Sequence, residues 1–312
     1  MKYYGIQNEV KAYINRLQDE NGIFVSAATI KTINDRVESL KRSGIWSQYS
    51  LGFNDVDGDD YLNRAGVTDP LGRCEVLWFT RGIKALNVWN NFTGWLLRSY
   101  QNIGTGNTVY SIGGFGNYNG TMQNSPTWGP DGITFQRSLE KYILMNNSST
   151  AFNVGTSSFT VGTVAKDTNN SPTDSTARVL IAKANAINLN ISRWQLTARN
   201  SVRGVLFRTL NNITPSTDIV STLWNGDFRI IQAQAINGNY SLDVNTLNTN
   251  TGYNGIHDIS NVVNDITIGN WTNVGGAFDG TISLAYIIND INVYTKLPAL
   301  IKSTVGFGLG LP

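Results

Sequence analysis

With one histidine and one cysteine in 312 residues, the chain has little of the usual material for catalysis. A Ser-His-Asp arrangement or a multi-histidine metal site would hang on His257 alone, which sits beside Asp258 in the Asn/Gly-rich run GYNGIHDIS. A single Cys74 excludes an intrachain disulfide, which fits assembly in a reducing cytoplasm. Its place in the apolar run CEVLWF points to a buried, inert thiol. Charge is scarce too: 15% of residues are Asp, Glu, Lys or Arg, against the ~25% usual in globular chains. The net charge of +2 is scattered, so no nucleic-acid partner is expected. No run of ~18 apolar residues offers a membrane-spanning helix. No apolar stretch of a secretory leader follows Met1-Lys2-Tyr3-Tyr4. Neither G-x-x-x-x-G-K-[ST] nor G-x-S-x-G occurs, and GFGLGLP lacks the strand and helix a phosphate loop needs. Glutamate is nearly absent after residue 105, where only Glu140 remains. That excludes a hydrolase built on two glutamates of one sheet face. These absences together argue against an enzyme.

What is abundant is Gly (31 copies, above the ~7% average), with Asn, Thr and aromatic residues: 8 Trp, 13 Tyr and 12 Phe. This is the composition of a β-rich, loop-rich protein with an uncharged polar surface and ample core material. Two helical patterns open the chain. Ile6, Val10, Tyr13, Ile14 and Leu17 form one stripe, ended by Asn21-Gly22. Ile30, Ile33, Val37 and Leu40 form a second, with Ser26 as N-cap and Gly44 as the residue after the C-cap. This helical hairpin, residues 1–47, cannot bury enough surface alone and needs a cover, from the chain or from another subunit. An anchoring or assembly role is expected for it. Residues 48–105 read as a mixed connector, with GRCEVLWFTRG as a short buried strand and a helix over 83–97. From 106 to 298, short runs of alternating hydrophobicity separated by Gly, Asn, Asp and Pro turns predict a mainly β, two-sheet antiparallel jelly-roll sandwich. Trp128, Phe135, Phe159, Ile181, Trp194, Leu206, Ile230, Ile268, Trp271, Ile282 and Leu284 are its expected core. A short helix and a Gly-rich tail, 299–312, follow.

One run looks like a metal loop. In LGFNDVDGDDYLN, Asp55, Asp57, Asp59 and Asn63 fall at offsets 1, 3, 5 and 9, a spacing of hard oxygen donors that suits Ca²⁺. Asp60 and Gly66 stand where an EF-hand has Gly and Glu, so that motif fails. A shorter calcium loop and a solvated acidic turn are the two readings left.

The segment NYNGTMQNSPTWGPDGITFQ (117–136) resembles the first hairpin of laminin-G-like/concanavalin A-like jelly rolls found in bacteriophage virion proteins. WTNVGGAFDGTISLAYIINDINVYT resembles the end of the same module, and the helical run ending GIWSQ resembles the lead-in that precedes it. The Asn-Gly and Asp-Gly pairs supply the positive φ of tight hairpins. The resemblance implies a non-enzymatic structural or adhesive part of a virion, a head decoration, fibre or tail component. Its partners would be other virion proteins and sister subunits. The alternative it leaves is a carbohydrate-binding module recognising host-surface glycan, with Tyr118, Trp224, Tyr240 and Tyr253 (and Trp128) as stacking candidates. A polysaccharide depolymerase is disfavoured by the missing glutamates.

Overall fold

The computed structural model describes residues 5–103, 106–168, 177–184, 193–199, 204–210, 217–222, 226–237, 239–245, 250–253, 259, 261–271, 276–290 and 295–312. The first five helices are α1 (Asn8–Asp19), α2 (Ala27–Arg42), α3 (Ile45–Gln48), α4 (Val56–Arg64) and α5 (Pro70–Ala85). The strands follow: β1 (Phe92–Leu96), β2 (Thr108–Val109), β3 (Ser111–Ile112), β4 (Gly120–Gln123), β5 (Thr127–Gly129), β6 (Gly132–Phe135), β7 (Tyr142–Met145) and β8 (Phe159–Asp167). Then come β9 (Ala177–Lys183), β10 (Arg193–Arg199), β11 (Gly204–Leu210), β12 (Thr217–Thr222), β13 (Arg229–Ile236), β14 (Asn239–Val244), β15 (Asn250–Tyr253), β16 (Ile266–Ile268) and β17 (Gly280–Ile288), and finally α6 (Leu297–Ser303).

All strand pairs are antiparallel, in two sheets. One runs β15-β14-β13-β8-β17-β1-β3, with β6 joined to β17 and β5 to β6. The other runs β12-β11-β10-β9-β16-β7-β4-β2. This is the two-sheet jelly-roll class expected from the alternation, with one addition. The helices form a third layer against the outer face of the nine-stranded sheet. Phe92, Leu96, Val164, Ile230, Leu284, Tyr286 and Ile288 of that sheet share a core with the helices. Trp95, Phe159, Val161, Ile231, Ile282, Ala285 and Ile287 face the eight-stranded sheet instead. A register shift between Ile282 and Leu284 changes the parity of β17, so both its faces are apolar and both are covered. Ile230 and Leu284, expected inside the sandwich, lie on the helix side, Leu206 lies on the outer face of the eight-stranded sheet between the inward Val205 and Phe207, and Trp271 lies outside both cores as a half-buried residue.

The hairpin forms as its stripes dictate. Ser26 Oγ accepts from Thr29 N–H, and Gly44 follows α2 in the left-handed region at φ +77°. Val10, Ile14, Leu17, Ile30, Ile33, Val37 and Leu40 are all buried by the chain itself. The connector differs from expectation. GRCEVLWFTRG belongs to α5, started by Asp69, whose carboxylate accepts from Gly72 N–H, and by Pro70 at its first position. Nearly every residue from Gly72 to Ile83 is buried, so the helix is encased all round and its 3.6 period vanishes into a continuous apolar run. The expected helix over 83–97 ends at Ala85. Asn87 turns the chain at φ +60°, and Phe92–Leu96 is β1, so the sheet reaches back beyond residue 106.

A buried polar network ties the C-terminal segment to this layer. Arg36 pairs with Glu75, whose other oxygen accepts from Tyr100 OH (3.0 Å) and Gln101 Nε2 (2.6 Å). Arg36 also donates to Ser303 O (3.3 Å), and Arg98 donates to Val305 O (3.1 Å) and Phe307 O (2.8 Å). The Arg36 guanidinium stacks 3.8 Å from the Phe307 ring centre.

Candidate functional site

The helices cover one outer face of the sandwich, which leaves the outer face of the eight-stranded sheet to consider. Along its strands the inward residues are apolar: Ile143 and Met145, Ile266 and Ile268, Trp194 and Leu196, Val205 and Phe207. Their outward neighbours form one row through the register pairs Thr121↔Leu144, Leu144↔Thr267, Thr267↔Ala182, Ala182↔Gln195 and Gln195↔Arg208. Thr267 and Gln195 flank Ala182 from the two neighbouring strands, about 10 Å apart. The Trp271 ring packs on the same face, over Val179, Ala182 and Ala184.

Three polar atoms of this patch have no hydrogen-bond partner: Thr267 Oγ1, Gln195 Oε1 and Trp271 Nε1. Thr267 is fully buried and Gln195 is 1% exposed. A buried polar group left unpaired costs about 1–3 kcal/mol, so two side-chain oxygens and the N–H of a half-buried indole on this face form a patch short of its partners. All three atoms are themselves buried, so what this face turns outward is the half-buried Trp271 ring rather than these polar groups.

The sequence candidates fall elsewhere. Tyr118 is half-buried at one end of the sandwich, its ring 4.8 Å from Phe152 and 6.2 Å from Phe115. Trp95 Nε1 donates to its carbonyl at 2.8 Å. Tyr240 is a correction: its ring is 4% exposed, packed 6.2 Å from Phe207 inside the sandwich, and offers no face to a ligand. Trp224, His257 and the side chain of Tyr253 lie outside the described residues. Trp128 is half-buried, its Nε1 donating to Gly106 O at 3.3 Å.

The acidic run is neither an open loop nor a solvated turn but the start of α4. Asp55 caps the helix by accepting from Gly58 N–H (3.0 Å) and grips Lys84 Nζ through both oxygens (2.7 and 2.8 Å). Asp57 reaches the same ammonium at 2.5 Å, and Asp59 pairs with Arg16 at 3.1 Å. The structure thus turns these three carboxylates to protein cations and does not gather them with Asn63 around one point. Among the described residues no group of three or more His, Cys, Asp or Glu side chains is placed to hold a metal ion. Cys74 is fully buried, and burial pushes its thiol well above the ordinary range.

A further cation lies at the Tyr118 end. Lys183 Nζ donates to Ser148 O (3.3 Å) and Ser149 O (2.5 Å). Burial pushes its pKa down to about 8, against an opposing pull from Asp265. Nothing in the alternation of β9 marks this lysine as inward-facing. Gln195, Thr267 and Trp271 were equally silent in the sequence, since Trp271 in an alternating run reads as core.

No protein-family profile matches the chain, and no curated protein sequence matches it. Among solved structures it is similar to Trypanosoma rangeli sialidase in complex with a difluoro-KDN ligand (12% identity, TM-score 0.50), over 68% of this chain and 33% of that one. It thus spans about a third of the sialidase chain. Other similar structures are the CBM40 of Ruminococcus gnavus IT-sialidase (17%, TM-score 0.40, 55% of this chain and 90% of that one) and mouse laminin alpha1 LG4-5 (16%, TM-score 0.32, 43% and 36%). At these identities the likeness concerns the fold, a jelly-roll β-sandwich.

Proposed function

We propose that this chain is a non-enzymatic sandwich module that binds a glycan on the outer face of its eight-stranded sheet. Trp271, half-buried over Val179, Ala182 and Ala184, is the stacking platform. The observation that carries this reading is that half-buried indole laid over a floor of small residues on the outer face. The similar sialidase structures contain bound sugar derivatives in their own sites, which is in keeping with a glycan reading. The non-catalytic part rests on residue supply: Glu140 is exposed at φ +48° with no second glutamate near it in sequence, and Cys74 is a buried neutral thiol. The setting, a bacteriophage virion component meeting host-surface glycan, rests on the resemblance of residues 117–136 and 271–295 to virion jelly rolls.

The test is a glycan array with the wild type, Trp271→Ala and Thr267→Val. Trp271→Ala removes the platform and lowers affinity at least tenfold. Thr267→Val, at a fully buried position, is the control: it replaces an unpaired hydroxyl with a methyl of the same shape and leaves both fold and binding as before. Binding by Trp271→Ala at wild-type strength would refute the site. Release of reducing ends from a bound polysaccharide would refute the non-enzymatic part.

A further inference from the structure

The apolar stripe of the α1–α2 hairpin is spent inside the chain, so it is not what meets a partner. Two other features of the helical layer remain unmatched. The first is the tip of the hairpin. Phe24 is 80% exposed in the turn between α1 and α2. Beside it Asp19 and Glu20 are exposed and form no ion pair among the described residues. An exposed phenyl ring held between two helices is an unusual placement for so large an apolar group.

The second feature is a groove of about 480 Å³ between α2 and the C-terminal segment. It runs along α2 from Thr32 to Ser43, roughly 16 Å at the helical rise. Ser39 and Leu40 line one wall, Lys302 and Phe307 the other. The Phe307 ring is 48% exposed, and the Arg36 stack and the carbonyl bonds from Arg98 hold it in place. The groove is therefore preformed. Asp35 at its edge is matched by Lys31 at 2.5 Å, whereas Lys302 is exposed and has no ion-pair partner among the described residues.

The tip thus presents an apolar knob with two unmatched acids, and the groove an apolar recess with an unmatched cation. We infer that the chain associates with copies of itself head to tail: Phe24 of one copy seats against Leu40 and Phe307 of the next, with Glu20 facing Lys302. The two surfaces are different patches of one chain, so the contact is heterologous and propagates into a ring or a filament. The inference stands apart from the glycan face, which lies on the other sheet.

Sedimentation velocity of the full chain over a concentration series tests it. The wild type grows in mass with concentration, less so at high salt. Phe24→Ser removes the knob, and Ser39→Trp fills the groove from an exposed helix position. Each weakens association tenfold or more, the order expected for one lost phenyl burial. The decisive arm is their mixture. Phe24→Ser keeps its groove and Ser39→Trp keeps its tip, so together they form a one-to-one pair and nothing larger. Glu20→Lys weakens assembly, and a Lys302→Glu partner restores it. A wild type that stays monomeric throughout, or a mixture that forms no pair, overturns the inference. Trp271→Ala assembles as the wild type does, which separates this outcome from that of the glycan test.

Discussion

Replacing Gly162 by alanine tests whether the nine-stranded sheet and the helical layer share one rigid core. Gly162 on β8 stands opposite Tyr286 on β17. A Cβ there would lie 2.3 Å from both Cζ and the hydroxyl of the tyrosine. The ring has nowhere to swing: it is fully buried, stacks 6.2 Å from Phe92, and donates its hydroxyl to Gln232 Oε1 at 3.0 Å. Overpacking costs about 1–3 kcal/mol. Displacing the hydrogen bond adds about 0.5–1.5 kcal/mol. The total is about 1.5–4.5 kcal/mol. An unfolding entropy of ~2.1 cal/mol/K per residue gives ~0.65 kcal/mol/K over 312 residues. The melting temperature should therefore fall by roughly 2–7 °C. In a Tyr286→Leu background the same substitution meets a shorter side chain, and its cost drops below about 0.5 kcal/mol, the additivity error for independent sites. Calorimetry of the four proteins reads this directly. If Gly162→Ala melts with the wild type, or costs as much beside Leu as beside Tyr, the packing argument is refuted.

Two further outcomes follow from buried charges. Glu75→Gln leaves Arg36 without its counter-charge in a site where the two are 1% and 6% exposed. It should cost about 3–5 kcal/mol by urea unfolding, and a companion Arg36→Met should recover part of that; a cost under about 1 kcal/mol would contradict a buried pair. Lys183 has a folded pKa of about 8, below its ordinary value of 10.5, so between those pH values the unfolded chain binds more protons. Stability contributed by this residue therefore rises with pH across that window, and Lys183→Met flattens the rise; a wild-type curve with no upward component there, or the same curve in both proteins, would count against it.

The helices with solvent on one side were legible, since α1 and α2 carry a clean stripe, and Ser26 marks a cap. So were the strands of the sandwich, whose alternation survives wherever one face is wet. Legibility failed where burial is complete. α5, covered on all sides, lost its period and passed for a strand. A layer on the outer face of the sheet was nonetheless written in GTISLAYII: apolar residues at both parities signal a strand with two buried faces, which a plain sandwich would not need. Asp55, Asp57 and Asp59 show the opposite failure. Their spacing suits calcium, but the ammonium that takes two of them arrives from Lys84, far along the chain. The Trp271 patch was illegible because Thr267, Ala182 and Gln195 come together only through strand register, each within an ordinary local pattern.

The position of β17 also sets when the molecule can take shape during synthesis. It bridges β1, β6 and β8, and its outer face supplies Leu284, Tyr286 and Ile288 to the helices made first. The pairing Phe92↔Ile288 joins chain ends of one sheet across nearly the whole β region, a contact of high order that closes slowly. At ~5–20 residues per second, the sheet-facing side of the helical layer waits on the order of tens of seconds for β17 to leave the ribosome. Until then that side is an exposed apolar surface, and the nascent chain is a client for whatever shields such surfaces in the cell that makes it.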